Sequence, residues 1–144
     1  MEDIPDFKLK VEQPRITDFE SAETRRRLGP PAMEIFSKIA LRWKITDEDA
    51  CLLLGIDHAD YRTILNASES RLLEADTLRR ISYLVGIFKA LNILYNHSLA
   101  VEWICLPNSN ALFEGISPLR YMQQGGIPAM RDVRRLLDAC CAGN

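Results

Sequence analysis

The residues of this chain that could do chemistry are few, and their spacing matches no catalytic site. A serine nucleophile needs a histidine base, and the adjacent pair His97-Ser98 supplies both residue types. This pair lies at a predicted helix break, and no acidic residue beside it stands in a triad-like role. Sequence order alone does not exclude a triad, but nothing in the pattern favours one. We therefore expect a protein that is not an enzyme and has no catalytic residues.

Metal and phosphate sites are not indicated either. The cysteines form no Cys-x-x-Cys pair, and two histidines add little to a zinc site, so His58 is not expected to bind metal. Gly125-Gly126 lacks the preceding strand and the lysine of a phosphate-binding loop. We expect no cofactor and no metal. Four cysteines are interpreted as reduced thiols that act as small apolar side chains: Cys51, Cys105, Cys140 and Cys141.

Composition indicates a globular helical protein. The chain has 144 residues, of which 47% are hydrophobic, enough for one domain or two small ones with a core. Leucine and isoleucine are frequent and turn clusters are few, which favours an all-α fold. No run approaches the roughly 18 apolar residues of a membrane span, and the acidic start Met1–Asp6 has no signal core. We expect a cytoplasmic protein, and its net charge of −2 argues mildly against DNA binding as its sole role.

Residues 1–30 have no sustained hydrophobic period and hold three prolines, which predicts a flexible N-terminal arm. The arm closes in Arg25, Arg26 and Arg27. These arginines either belong to a solvated linker or contact phosphate or a partner. Helical structure is expected to begin only after Pro30-Pro31, because proline suits the first turn of a helix.

The following segment reads as a helix-turn-helix unit. Thr46 is a candidate helix cap, Gly55 a helix stop, and a second short helix is expected from His58 to Asn66. The small residue Cys51, four positions before Gly55, suits two helices that cross closely. The unit is either a structural helix pair or a DNA-binding element.

A long apolar helix is predicted next. It begins at Asp76 or Thr77, extends to Tyr95 and is interpreted as the longest helix and the spine of the protein. Gly86 within it costs roughly 1 kcal/mol of helix propensity. That cost suggests a close helix crossing at this glycine.

The last third of the chain carries the most specific pattern. Its spacing predicts a short helix with a Pro-Asn stop, a turn, a helix started by proline, a glycine break and a final amphipathic helix. The residues that define it are Ala100, Trp103, Pro107, Asn108, Phe113, Gly115, Pro118, Leu119, Gly125, Val133, Arg134, Leu137, Asp138 and Ala139. This pattern resembles the toxin-binding domain of the Xre/MbcA/ParS antitoxin family. With Leu53-Leu54-Gly55 at the turn and the leucine-rich spine 84–91, the likeness covers about residues 31–140.

The resemblance implies an all-α type II antitoxin with a helix-turn-helix-like domain over 31–96 and a toxin-binding domain over 97–144. It implies a cognate toxin as partner, commonly a RES-domain enzyme that consumes NAD, whose active site the C-terminal module covers. Cys141 stands where relatives often carry an arginine near the C-terminus. Trp103 is either a core residue or an interface anchor, and the final helix is either core or partner-binding. The toxin-binding candidates are Trp103, Met130, Arg131, Arg134, Arg135, Asp138, Gly143 and Asn144.

In the family that this chain resembles, some members bind operator DNA through the helix-turn-helix unit and others use it as a scaffold, so the resemblance leaves operator DNA open as a second partner. We expect a homodimer, because helix-turn-helix proteins usually read two half-sites. The candidate DNA contacts on the second short helix are His58, Arg62 and Thr63, and Arg62 alone offers a bidentate guanine contact. Arg25, Arg26 and Arg27 are candidates for further positive charge. Neighbouring acidic residues would repel phosphates. A stand-alone transcriptional regulator with a C-terminal dimerisation module is the alternative.

Overall fold

The computed structural model describes residues 18–66 and 73–143, and within these ranges it contains helices and no strands. The all-α prediction is therefore confirmed. No helix in the described part is long and apolar enough to cross a membrane. The elements are α1 (Ala22–Trp43), α2 (Asp47–Leu54), α3 (His58–Asn66), α4 (Ala75–Leu94), α5 (His97–Cys105), a 3₁₀ turn (Ala111–Phe113) and α6 (Pro118–Ala142).

Helix α1 begins at Ala22, so the expectation that residues up to Pro30 form a flexible arm is wrong for 22–30. The hydroxyl of Ser21 accepts a hydrogen bond from the Thr24 N–H at 3.3 Å and caps the helix. Pro30 and Pro31 lie inside α1 and supply no N–H to the carbonyls one turn earlier. Burial of Gly29 beside them shows that tertiary packing holds this part of the helix. The rest of the predicted arm, residues 1–17, lies outside the described residues.

The predicted helix pair, α2 with α3, is present with the expected boundaries. The hydroxyl of Thr46 accepts a hydrogen bond from the Asp49 N–H at 3.1 Å, and Gly55 ends α2 with a φ of 72°. Asp57 caps α3 in the same way, with 2.8 Å between its Oδ1 and the Asp60 nitrogen. Residues 67–72, between α3 and α4, lie outside the described residues.

Helix α4 is the spine of the fold, because every residue from 84 to 91 is buried. The prediction that it is the longest helix is wrong, because α4 has 20 residues whereas α1 has 22 and α6 has 25. Trp43 of α1 packs against Phe88 of α4, with ring centroids 6.1 Å apart. A spine of this kind needs neighbours on every side, and α1, α5 and α6 supply them.

At Gly86, where the sequence suggests a close helix crossing, the structure places a side chain of α6. The guanidinium of Arg134, on α6, lies so close to Gly86 that an added Cβ would collide with it. Glycine at this position therefore makes room for a side chain of the helix that crosses α4.

The predicted glycine break divides α6 into two segments, 118–125 and 127–142. Gly126 has φ 68° and ψ −147°, a conformation essentially restricted to glycine. Ser117 caps the first segment, and Pro118 occupies its first turn as expected. The second segment lies against α4 and contributes Met130, Val133 and Leu137 to the same core cluster that holds the residues of α1 and α4.

The contact between Gly86 and Arg134 predicts a measurable coupling. Alanine exceeds glycine in helix propensity by about 1 kcal/mol, so Gly86→Ala in an Arg134→Ala background should raise the free energy of unfolding by about that amount. In the parent chain the new methyl group displaces the guanidinium, so the gain should be smaller or reversed. Urea denaturation of the four proteins measures the difference, and equal gains in both backgrounds would contradict it.

Candidate partner-binding surface

Three aromatic rings hold the C-terminal module together. Phe113 is fully buried and receives Trp103 on one side and Tyr121 on the other, both in edge-to-face geometry, at centroid distances of 5.7 and 5.4 Å. These contacts join α5, the 3₁₀ turn and the first segment of α6. Trp103 is half-buried and packs against the core, so its described contacts are with the module itself.

The outer face of the second segment of α6 presents charge to solvent. Arg131 and Arg135, one turn apart, are both exposed, and Asp138 is exposed one further turn along. The opposite face of the same segment is buried by Val133 and Leu137. Because the buried stripe fixes the rotation of the helix, the two arginines and Asp138 share the outward side.

Two of the toxin-binding candidates on this segment do not lie on its exposed outer face. Met130 is wrong as a partner contact, because it is 0% exposed and lies three residues before Val133 on the core face. Arg134 is turned toward α4, where its guanidinium covers Gly86 and its Nε donates to Asp138 Oδ2 at 3.1 Å. With its side chain 35% exposed, Arg134 mainly serves the packing of α6 on α4.

The C-terminal end of α6 carries small side chains. Ala139, Cys140, Ala142 and Gly143 are exposed, and the candidate Asn144 lies outside the described residues. Cys141 instead faces α4, where its Sγ donates to the Ala90 carbonyl at 3.8 Å and burial raises the pKa of the thiol. Cys141 therefore contributes to the packing of α6 on α4.

On the helix pair, the predicted DNA contacts are exposed but their surroundings are acidic. His58, Arg62 and Thr63 all lie on the exposed side of α3, and the Thr63 hydroxyl donates to the Ala59 carbonyl at 2.9 Å. Residues 46–66 carry five carboxylates and a single guanidinium. The carboxylates are Asp47, Glu48, Asp49, Asp57 and Asp60.

Both helices of the pair begin with their own acidic residues. Asp47, Glu48 and Asp49 fill the first turn of α2, and Asp57 caps α3. A helix N-terminus is a natural phosphate site, and here each is already occupied by carboxylates. Burial raises the pKa of the Cys51 thiol, and the negative charges of Asp47, Asp57 and Glu48 raise it further.

The candidate arginines at the end of the predicted arm differ in exposure and in their contacts. Arg25 donates from one terminal nitrogen to the carbonyls of Phe19 and Glu20, each at 2.9 Å. Its Nε is buried and has no hydrogen-bond partner among the described residues. Arg25 is therefore engaged within the chain, whereas Arg26 and Arg27 are exposed on α1.

Sequence reasoning missed two polar side chains that connect the helix pair to the rest of the fold. Arg80 of α4 donates to the Leu53 carbonyl at 3.0 Å, and Gln123 of α6 donates to the backbone carbonyl of Asp49 at 3.2 Å. The sequence gives a local signal for Arg80 alone, because Asp76 stands four residues before it and the two side chains form an ion pair of 2.7 Å on the helix. The long-range partners have no signature in the sequence.

One hydrogen bond crosses the break in α6. The hydroxyl of Tyr121, before the break, donates to Oδ2 of Asp132, after it, at 3.1 Å. Burial, followed by this hydrogen bond and the charge of Asp132, raises the pKa of Tyr121 above its usual value.

Among the described residues, no group of three or more histidine, cysteine, aspartate or glutamate side chains is arranged to hold a metal ion.

Comparison with known proteins identifies one curated relative. The chain is 37% identical over 112 residues to "Uncharacterized protein y4oB" of Sinorhizobium fredii (strain NBRC 101917 / NGR234). The alignment covers 76% of this chain and 84% of the relative. No family model matches the chain, and no solved structure matches it.

The raised pKa of Tyr121 predicts a pH dependence of stability. The folded chain holds this proton more tightly than the unfolded chain, so the contribution is complete below about pH 10 and is lost as pH rises through the folded pKa. Tyr121→Phe should therefore be less stable by about 1 kcal/mol at neutral pH and lose less stability between about pH 9 and about pH 11.

Urea unfolding across this range measures both effects. The matched control is Tyr95→Phe, at an exposed tyrosine, which should behave as the parent does. If Tyr121→Phe and the parent lose stability in parallel, the assignment is wrong.

Proposed function

This chain belongs to the same family as the y4oB protein of Sinorhizobium fredii, and we propose that it is the antitoxin of a type II toxin–antitoxin system. In this proposal it binds a cognate toxin, a RES-domain enzyme that consumes NAD, and covers the active site of that enzyme. The chain performs no reaction itself. Inhibition results from buried surface and excluded substrate, and a stable complex of this kind buries about 1,600 Å².

The observation that carries the proposal is the outer face of the second segment of α6. Arg131 and Arg135 are exposed there, on a helix whose other face is packed rigidly on α4. Guanidinium groups pair in a bidentate manner with carboxylates and phosphates. Carboxylates that line a nucleotide-binding cleft are suitable partners for this face, and the exposed small residues Ala139, Cys140, Ala142 and Gly143 lie beyond it.

The positions shared with the Xre/MbcA/ParS family support the same proposal through the fold. Phe113 is the centre of the aromatic cluster, Pro118 begins α6, and Val133 is in the core. Such positions maintain the module, and they leave the exposed face free to differ according to the toxin that is bound.

The second candidate function is a stand-alone helix-turn-helix regulator with a C-terminal dimerisation module. The exposure of His58, Arg62 and Thr63 on α3 favours it. The five carboxylates of the helix pair oppose it, since a DNA-binding face is normally basic. We therefore place operator binding second to toxin binding, as autoregulation by a homodimer through α3.

Charge reversal on α6 tests the proposal. Arg131→Glu together with Arg135→Glu should weaken binding to the toxin about 100-fold or more, because two exposed charges at an interface are reversed. Co-expression with the toxic product of the neighbouring gene should then arrest growth, whereas the parent chain protects. Calorimetry or a pull-down measures the affinity.

The matched control is Arg120→Glu, at an exposed arginine on the first segment of α6, which should leave protection intact. Circular dichroism establishes that each variant is folded. Full protection by the double variant would refute the assignment of this face.

Operator binding is tested at Arg62. Replacement by alanine should weaken binding to promoter DNA of the chain's own operon by about tenfold or more, the usual effect of losing one bidentate base contact. Fluorescence anisotropy at several salt concentrations measures this, with Arg120→Ala as the control. Unchanged binding in Arg62→Ala would remove α3 as the recognition helix.

A further inference from the structure

We propose that Arg80 and Gln123 connect the helix pair to the break in α6, so that the geometry of the break determines the position of α2 and α3. This connection is a property of the free chain and does not depend on the proposed function. It makes the two exposed surfaces, on α3 and on the outer face of α6, parts of one linked unit.

The break has a single permitted geometry. Gly126 has φ 68°, where any other residue is strained, and a Cβ on Gly125 would lie 2.6 Å from the Cβ of Ala129. The hydrogen bond from Tyr121 to Asp132 spans the break on its other side. The first segment of α6 is therefore held at a fixed angle to the second, which is packed on α4.

Arg80 contacts three elements with one guanidinium. Its Nε pairs with Asp76 of its own helix at 2.7 Å, and a terminal nitrogen donates to the Leu53 carbonyl, near the end of α2. The same group lies against both glycine turns, because an added Cβ would be 3.0 Å from it at Gly55 and 3.5 Å at Gly126. Only 18% of the side chain is exposed. A planar group with five donors suits such a junction.

Gln123 holds the other end of α2. Its Nε2 donates to the backbone carbonyl of Asp49 at 3.2 Å and to the Asp49 carboxylate at 3.1 Å. Helix α2 is thus attached near its start to the first segment of α6 and near its end, through Arg80, to the break itself. Between these points Leu53 and Leu54 are fully buried.

A change at the break moves the first segment of α6, and with it the Gln123 attachment of α2, relative to Arg80 on α4. Helix α3 follows, because it is joined to α2 through Gly55, where Arg80 is seated. A coupling free energy between two sites that are connected in this way acts in both directions. If the proposed function holds, toxin on α6 changes the operator affinity of α3, and this consequence alone rests on that function.

Hydrogen exchange on the full, partner-free chain tests the connection. Gly126→Ala should speed exchange in residues 50–57, on another helix, by about tenfold or more, since local opening of α2 becomes easier. Arg80→Ala should do the same. In a background that carries both Arg80→Ala and Gln123→Ala, Gly126→Ala should add nothing in residues 50–57, because both connections are already removed.

Two references separate this effect from general loss of stability. Exchange at the centre of α4, residues 84–91, reports the loss of global stability in each variant, and the increase in residues 50–57 should exceed the increase there. Arg79→Ala is the matched control, because Arg79 pairs with Glu20 at 3.7 Å and lies over the Phe19 ring. It should leave exchange in residues 50–57 as in the parent.

Two outcomes would overturn the proposal. One is faster exchange in Gly126→Ala that is confined to residues 118–130. The other is an equal increase in residues 50–57 with and without Arg80 and Gln123. Should Gly126→Ala fail to fold, Gly125→Ala, whose Cβ would lie 2.6 Å from the Cβ of Ala129, replaces it in the same cycle, with the same two outcomes deciding.

Discussion

Burial of α4 on all sides is the constraint on which the rest of the structure depends. Its residues 84–91 have no solvent-facing side, so neighbouring helices must cover each face. Helix α1 covers one face with Trp43, and the second segment of α6 covers another with Met130, Val133 and Leu137. Because each covering helix turns one apolar stripe inward, its outward residues are determined at the same time. The exposed arginines of α6 are a consequence of how α4 is packed.

Arginine has two separate uses in this fold. Arg25, Arg80 and Arg134 bind carbonyl oxygens, pair with a carboxylate or cover a glycine, and the guanidinium groups of Arg80 and Arg134 join elements that are distant in sequence. Arg131 and Arg135 have only solvent on their outer side in the described structure. A guanidinium keeps its charge and can satisfy several acceptors at once, which explains why the first group stabilises junctions. In the proposed function, the second group contacts the toxin.

The distribution of charge separates the two exposed surfaces. The helix pair carries five carboxylates and one arginine, whereas the outer face of α6 begins with two arginines. A net charge of −2 for the whole chain conceals this difference. The proposed antitoxin function assigns the basic face to a nucleotide-binding enzyme, and the acidic pair then makes any contact with DNA a weaker and secondary one.

Local signals in the sequence determined most of the helix boundaries. Thr46, Gly55, Pro118 and Gly126 act on their own backbone within a turn, so their residue types suffice to place caps, stops and the break. The same reasoning failed at Pro30-Pro31, because packing of α1 overrides the tendency of proline to end a helix. Only the tertiary structure decided which side of α6 is buried, and so separated Met130 from Arg131. It also determined the contacts of Arg80, Gln123 and Arg134. Their partners are distant in sequence and come close only when the chain folds, so the spacing of residues does not reveal these contacts.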